Sequence, residues 1–426
     1  MRSEYDSLKA HETFYHVTEE SLRPITCKWV FRLKTNADGS RRYKTRLVAR
    51  GFELVHGVDY SETFAPVAQL TTFRIYAAPA LELQATIYHL DVVTAFLNPA
   101  IEERTAITIP EGIEWLDPQL AHQLAPSSKL RLNKALYGLR QAPHLWYKDI
   151  GTTLTALGFS PSASDHNLYL SKEKRMMVLL YVDDILLCAE GNVKSHPDEV
   201  KNALKSKYKI TDLGLAQQYL GITIRQSPTL IVLSQASYVL TLLKRFGLQD
   251  CNGHLTPLEP GSRTKTESPF LSPTDVKTYQ AIVGGIMYLM LATRPDLAYS
   301  ISVLSKHAAS PQEHHLAIAK RTLRYLKKTA LLSLVYTKAL TSLTSLQISC
   351  WPPTVGFTDS DWAGDPVDRR STSAFVFLCF GTAVSWKSKK QSLIALSTTE
   401  PEYVAASEAS KEAVWLRRIL SEIYRC

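Results

Sequence analysis

The chain has 426 residues, 45% apolar and 21% charged, which is enough for two or three domains with real cores and excludes wholesale disorder. Lys and Arg number 49 against 40 Asp and Glu, and the resulting charge of +9 suits a polyanionic partner without requiring one. Six cysteines with no C-x-x-C pair argue against a disulfide frame or a zinc site, the first residues carry no apolar signal region, and the longest apolar stretch, residues 281–292, is too short to span a bilayer.

Residues 1–24 are polar and read as a helix plus a linker. From Cys27 the pattern alternates, with Trp29, Phe31 and Leu33 against Lys28, Arg32 and Lys34; after the turn residues Asn36-Ala37-Asp38-Gly39 it alternates again through Tyr43 to Arg50. This predicts a basic β-hairpin. Residues 72–85 read as a helix that Pro79 should kink or end. Tyr88 to Val93 reads as a short strand, and residues 133–158 carry helical periodicity interrupted at Pro143. The run Met176-Met177-Val178-Leu179-Leu180-Tyr181-Val182-Asp183-Asp184-Ile185-Leu186-Leu187 predicts two buried strands joined by a turn. A Lys-rich helix (198–208), strands near 219–224 and 230–233, and a helix at 236–246 follow. Residues 251–275 collect Pro, Ser, Thr and Gly and read as a linker. Helices are expected at 276–292, 296–308 and 311–329. An α/β piece begins near Trp351, with strands at 373–380 and 383–387 and a last helix over 400–423.

The chemistry concentrates in the acids. Asp183 and Asp184 sit inside an apolar run, where a carboxylate is costly unless it is paired or holds a metal, and where two neighbours also repel. A tight turn lets both reach one side. Asp91 ends the Tyr88 strand, so three carboxylates stand at strand ends. Hard oxygen donors of this kind suit a two-metal centre for phosphoryl transfer.

The residues then resemble a family. Tyr181-Val182-Asp183-Asp184 is similar to the polymerase box of reverse transcriptases, and further motifs resemble the Ty1/copia-type retrotransposon subclass: Lys28-Trp29-Val30-Phe31, Tyr43 to Phe52, Asp59 to Val67, Leu90 to Asn98, Leu132 to Pro143, Asp212-Leu213-Gly214, Tyr219-Leu220-Gly221-Ile222, Thr293-Arg294-Pro295-Asp296, Arg324-Tyr325-Leu326-Lys327, Asp361 to Asp365 and Ser385 to Gln391. Their order covers nearly the whole chain.

The resemblance implies an α+β right-hand polymerase. Fingers, palm and thumb would occupy residues 25–250, a helical connection 276–350, and an incomplete ribonuclease H-like α/β domain 351–426. It implies that Asp91, Asp183 and Asp184 are the catalytic carboxylates and hold two Mg²⁺, with Mn²⁺ as a substitute. Lys44, Arg46, Phe96, Tyr137 and Gly138 would meet the incoming nucleotide, and Tyr219, Leu220 and Gly221 would position the primer. The implied partners are an RNA template, a DNA primer and deoxynucleoside triphosphates, with no membrane; the sequence shows no targeting signal, so its address is unknown, with the cytoplasm or a virus-like particle as the default. Asp359 and Glu402 fall where the family keeps two ribonuclease H carboxylates. The further acids of that site would lie beyond Cys426, so ribonuclease H activity is expected to be absent.

Some positions depart from the family pattern: Pro79, the stretch Glu103 to Thr108, and Pro401 near the start of the last helix. Pro401 predicts a helix cap at Thr399 with Glu402 as its capping-box partner. Such changes leave open an inactive, degenerate element copy that retains only its fold or nucleic-acid binding. A metal-dependent nuclease built on the C-terminal piece is the third reading.

Overall fold

The structure, a computed structural model, describes residues 1–35, 41–191, 197–259, 268–337 and 354–425. The hairpin turn at 36–39, part of the Pro-rich 251–275 segment and Trp351 lie outside them.

The apolar run around the acid pair reads as continuous because its strands are covered on both faces. It forms the middle of a six-stranded sheet whose neighbours run Ile210–Leu215, Ala85–Val92, Asp184–Glu190, Met176–Tyr181, Leu168–Ser171 and Ser160–Pro161. Leu90, Val92, Val178, Leu180, Ile185 and Leu187 pack on one side with Trp146 and Ile150 of the helix Ala142–Ala156 and Val200 and Leu204 of Pro197–Lys207. Ile87, Met177, Leu179, Leu186 and Cys188 pack on the other side under the helix Leu70–Glu82.

That helix does not end at Pro79 but continues to Glu82. An interior proline costs about 3 kcal/mol. Here Thr72 to Leu81 are buried without interruption, and full burial of Phe73, Ile75 and Tyr76 contributes roughly 1.5–3 kcal/mol each, so packing outweighs the lost bond. Pro143 also does not interrupt a helix. It sits in the first turn of Ala142–Ala156, where an amide hydrogen has no intrahelical partner, and the periodicity read over 133–141 belongs to a non-helical approach.

The basic hairpin forms from Cys27–Thr35 and Arg41–Ala49, with Arg32 opposite Lys44 and Val30 opposite Arg46. Alternation puts Lys28, Arg32, Lys44 and Arg46 on one face, and Trp29, Leu47 and Ala49 on the other, against an apolar cluster. The N-terminal segment is more than helix and linker: after Arg2–Ala10, Phe14–Val17 pairs with Lys129–Leu132 in a four-stranded sheet. The same sheet takes in Ala106–Ile107, so the departure at Glu103 to Thr108 is absorbed by buried Ala106 and Ile107.

Beyond the palm-like sheet, Gln218–Tyr219, Ile222–Ser227 and Leu230–Ser234 form an antiparallel sheet completed by Leu334–Thr337, a strand the sequence pattern did not mark. The helices Ala236–Arg245, Pro273–Ala292, Ala298–Ser305 and Glu313–Lys328 share a core. The C-terminal piece is a three-stranded antiparallel sheet (Thr354–Ser360, Thr372–Cys379, Thr382–Lys390) with the helix Thr399–Arg425. Phe377, Cys379, Leu416 and Ile419 lie in the same cluster as Phe73, Ile75 and Leu186, so this piece is packed onto the rest. Arg74, buried in the seam, donates to the carbonyls of Val384 (2.6 Å) and Leu291 (2.6 Å) and lies 4.0 Å over the Trp386 ring. The last helix begins at Thr399, which makes Thr399 its first helical residue and not its cap. The carboxylate that folds back is Glu400, on the Leu396 amide at 2.9 Å, and Glu402 takes no part.

Candidate active site

The acid pair sits on a tight hairpin in which Tyr181 is opposite Asp184 and Val182-Asp183 form the loop. Val182 has φ +56°, an unfavourable conformation for a β-branched residue. Two bonds hold it there. Trp146 Nε1 donates to the Val182 carbonyl (2.6 Å), and the Val92 amide donates to the Asp183 carbonyl (2.8 Å). Strain of this kind persists only where the surroundings over-determine it, and it gathers at functional sites.

The register sets Asp91 directly opposite Asp184, although 93 positions separate them in the chain. Directly opposed side chains share a face of the sheet. Asp91 is pushed above the usual carboxylate range by burial and then by Asp183 and Asp184; Asp183 is raised by burial and by Asp184. His89 and Lys44 act in the opposite direction on Asp91, as do Arg46 and Lys44 on Asp183. His89, two residues before Asp91 and so on the same face, places Nε2 2.9 Å from Asp184 Oδ1. Nothing singled out His89 in the sequence, yet the period-2 spacing from Asp91 is the signal that could have found it.

The residues expected at a nucleotide gather beside these acids. The Arg46 guanidinium lies 4.5 Å over the Tyr137 ring, and Phe96 meets Tyr137 edge-on at 5.5 Å. Arg46 Nε is buried with no hydrogen-bond partner. Gly138, at φ +93°, has no room for a side chain: a Cβ would stand 2.1 Å from the Ala49 carbonyl oxygen. The Tyr137 carbonyl accepts from the Ala49 amide (2.8 Å), so the bare backbone at Gly138 lets the foot of the basic hairpin close on this loop.

Tyr219 is buried under the same sheet, against Phe73 (4.8 Å), His89 (6.2 Å) and Tyr181 (6.4 Å). Leu220 and Gly221 form the turn after it, with φ +48° and +75°.

Asp359 and Glu402 are placed differently. Both are exposed, Asp359 on the Thr354–Ser360 strand opposite Ala374 and Glu402 in the first turn of the last helix. Asp359 lines a cavity of about 490 Å³ with Asp361, Tyr299 and Trp386, and Glu402 is not among its lining residues.

Carboxylate oxygens, crowded and partly desolvated, are the donor set a hard divalent cation takes, and the rise of Asp91 and Asp183 is the cost that such an ion would remove. The residues therefore fit the implied metals as donors. Among the described residues, no three His, Cys, Asp or Glu converge into a closed cluster.

Residues 12–260 match the family model described as reverse transcriptase (RNA-dependent DNA polymerase). The chain is 36% identical to the retrovirus-related Pol polyprotein from transposon TNT 1-94 of Nicotiana tabacum, over 99% of this chain and 31% of that protein. It is 35% identical to the corresponding polyprotein of transposon RE1 of Arabidopsis thaliana, over 94% of this chain and 26% of the relative. It thus spans under a third of the length of these relatives. Among solved structures, a foamy viral protease-reverse transcriptase in complex with double-stranded DNA aligns with TM-score 0.50 at 14% identity, over 96% of this chain and 70% of that one, a likeness of fold.

Proposed function

The chain belongs to the reverse transcriptase (RNA-dependent DNA polymerase) family, and from that premise we propose that it copies an RNA template into DNA for a copia-type retrotransposon, adding deoxynucleoside triphosphates to a primer 3′-hydroxyl. The observation that carries this reading is the pairing of Asp91 with Asp184 beside a strained, doubly pinned Asp183 turn. Asp91, Asp183 and Asp184 would hold two Mg²⁺, or Mn²⁺ in their place, and the ions would supply positive charge to the attacking hydroxyl and to the phosphates.

This chain's own residues do the rest. Lys44 and Arg46 offer the triphosphate charge-assisted hydrogen bonds, and Tyr137 holds the Arg46 fork beneath the site. Phe96, braced edge-on by Tyr137, forms a wall beside the sugar and excludes a 2′-hydroxyl. Gly138 keeps the hairpin foot closed. Tyr219, Leu220 and Gly221 position the primer end. Template and primer are gripped through phosphates, which makes binding tolerant of sequence and sensitive to salt. In this reading residues 25–250 would be fingers, palm and thumb, 276–350 the connection and 351–426 the ribonuclease H-like piece. Pro79 and Glu103 to Thr108, the positions that suggested a decayed copy, are accommodated in buried elements. The exposure of Asp359 and Glu402 favours no nuclease reading.

The test is primer extension on poly-A template with oligo-dT and Mg²⁺. Extension is expected from the native chain and not from Asp183→Asn; no extension by a folded native chain overturns the reading.

A further inference from the structure

The turn at Leu220-Gly221 closes a short hairpin, with Tyr219 opposite Ile222 and Gln218 opposite Thr223. Two consecutive residues at positive φ cost free energy, more so for Leu220 than for a glycine. Only Gln218–Tyr219 precedes the turn, a strand of two residues. A further support comes from a distant helix, Pro273–Ala292, beyond residue 260 where the family match stops. Tyr288 on that helix donates from its hydroxyl to the Leu220 carbonyl at 2.5 Å.

Three contacts aim this hydroxyl. Gly285, one turn earlier on the same helix, faces the thumb-like helix Ala236–Arg245 so closely that a Cβ would stand 2.5 Å from Leu242 Cδ1. The Tyr288 ring meets Tyr238 of that helix edge-on at 4.7 Å. Across the turn, a Cβ on Gly221 would stand 2.4 Å from the Tyr288 oxygen, so the glycine is required by the tyrosine as well as by its φ of +75°. On the other side the turn continues into Tyr219, which packs on His89 and Tyr181, and His89 faces Asp184. A cavity of about 760 Å³ opens beside the turn, lined by Gln218, Gly221, Arg225, Tyr238 and Tyr288.

We propose that Tyr288 is a positioning residue for the primer: its hydroxyl fixes the Leu220-Gly221 turn from the helical segment, and through Tyr219 keeps that turn in register with the carboxylates. The inference rests on the polymerase reading. Tyr288 touches no reacting atom. Its effect falls on how well a primer end is held and not on how a nucleotide is bound.

The experiment compares Tyr288→Phe with the native 426-residue chain. Affinity for a fluorescent recessed DNA primer on RNA template is read by anisotropy without nucleotide, and KM for deoxynucleotide is read with saturating primer–template. Losing one hydrogen bond that holds a strained turn should weaken primer–template binding roughly fivefold to tenfold, with KM for nucleotide and the thermal midpoint unchanged. Tyr288→Ala should weaken it further, because the contact with Tyr238 is lost too. Native-like primer–template affinity in Tyr288→Phe overturns the inference. So does an equal rise in nucleotide KM with a lowered thermal midpoint, which marks a merely structural role. A native chain that binds primer–template but adds no nucleotide defeats the polymerase reading and leaves the binding comparison to judge Tyr288.

Discussion

Asp91, Asp183 and Asp184 stand at the strand ends in the middle of a sheet buried on both faces, whereas Asp359 and Glu402 stand on an exposed strand and an exposed helix start. In the first group, backbone pairing fixes the distance between acids, two bonds pin the turn, His89 faces one carboxylate, and burial with like charge raises the others. In the second, the carboxylates share no register and the Glu402 side chain forms no cap. The lesson is that a carboxylate at a strand end means little alone. What marks a candidate site is the cost the fold accepts to keep several acids together.

The largest expected effect breaks the comparison outright. Under the proposed mechanism, replacing Asp184 by Asn should reduce primer extension on the order of a thousandfold, since several kcal/mol of charge stabilisation would leave with the metal it would hold. Asp359→Asn should leave extension within about twofold, as an exposed surface change does. Equal losses from both would erase the distinction between the regions.

A smaller effect sharpens it. Arg46→Ala should raise KM for deoxynucleotide by roughly tenfold to a hundredfold, the range of a lost charge-assisted hydrogen bond. Lys387→Ala, on the C-terminal sheet and paired with Glu408 at 3.3 Å, should leave that KM unchanged in steady-state kinetics. Arg46→Lys should recover only part of the loss, because an ammonium cannot form the planar fork that lies over Tyr137.

The smallest effect concerns the helical segment beside the C-terminal sheet. His315 is held down to about 4 by burial and by the neighbouring His307 and His314, and its Nδ1 accepts from the Gln312 amide at 3.0 Å. Above the ordinary value of 6.5 both folded and unfolded chains carry a neutral ring, so nothing changes with pH. Between 6.5 and about 4 the unfolded chain takes up a proton that the folded chain refuses, and stability falls. His315→Gln keeps an acceptor at the helix start and cannot titrate. Its thermal midpoint should therefore decline less steeply across that window than the native one, by a few degrees.

Much of the site was legible because it follows short periods. Alternation gave the basic hairpin, with Lys44 and Arg46 on one face, and the apolar run around Asp183 gave the buried strands. The end of the Tyr88 strand brought Asp91 into view, the match of motifs added Phe96 and Tyr137, and the register then set Asp91 opposite Asp184. What stayed hidden depends on contacts between distant segments. Leu334–Thr337 has only four residues and becomes a strand by pairing with Leu230–Ser234. Pro79 argued for a break because local sequence carries no information on ten consecutive buried positions. Arg74 reads as a surface charge on a helix, and only the fold reveals the carbonyls of Val384 and Leu291 around it. Tyr288 lies 67 residues from Gly221, and no spacing rule links the two.

The most direct test of the whole account is Mn²⁺ binding followed by electron paramagnetic resonance on the 426-residue chain with primer–template bound, comparing the native protein with Asp91→Asn. The account predicts that this one change, remote in sequence from the Asp183 turn, weakens Mn²⁺ binding at least about tenfold, because three carboxylates share the ions. Native affinity in Asp91→Asn would contradict it, showing that the opposed acids do not act together.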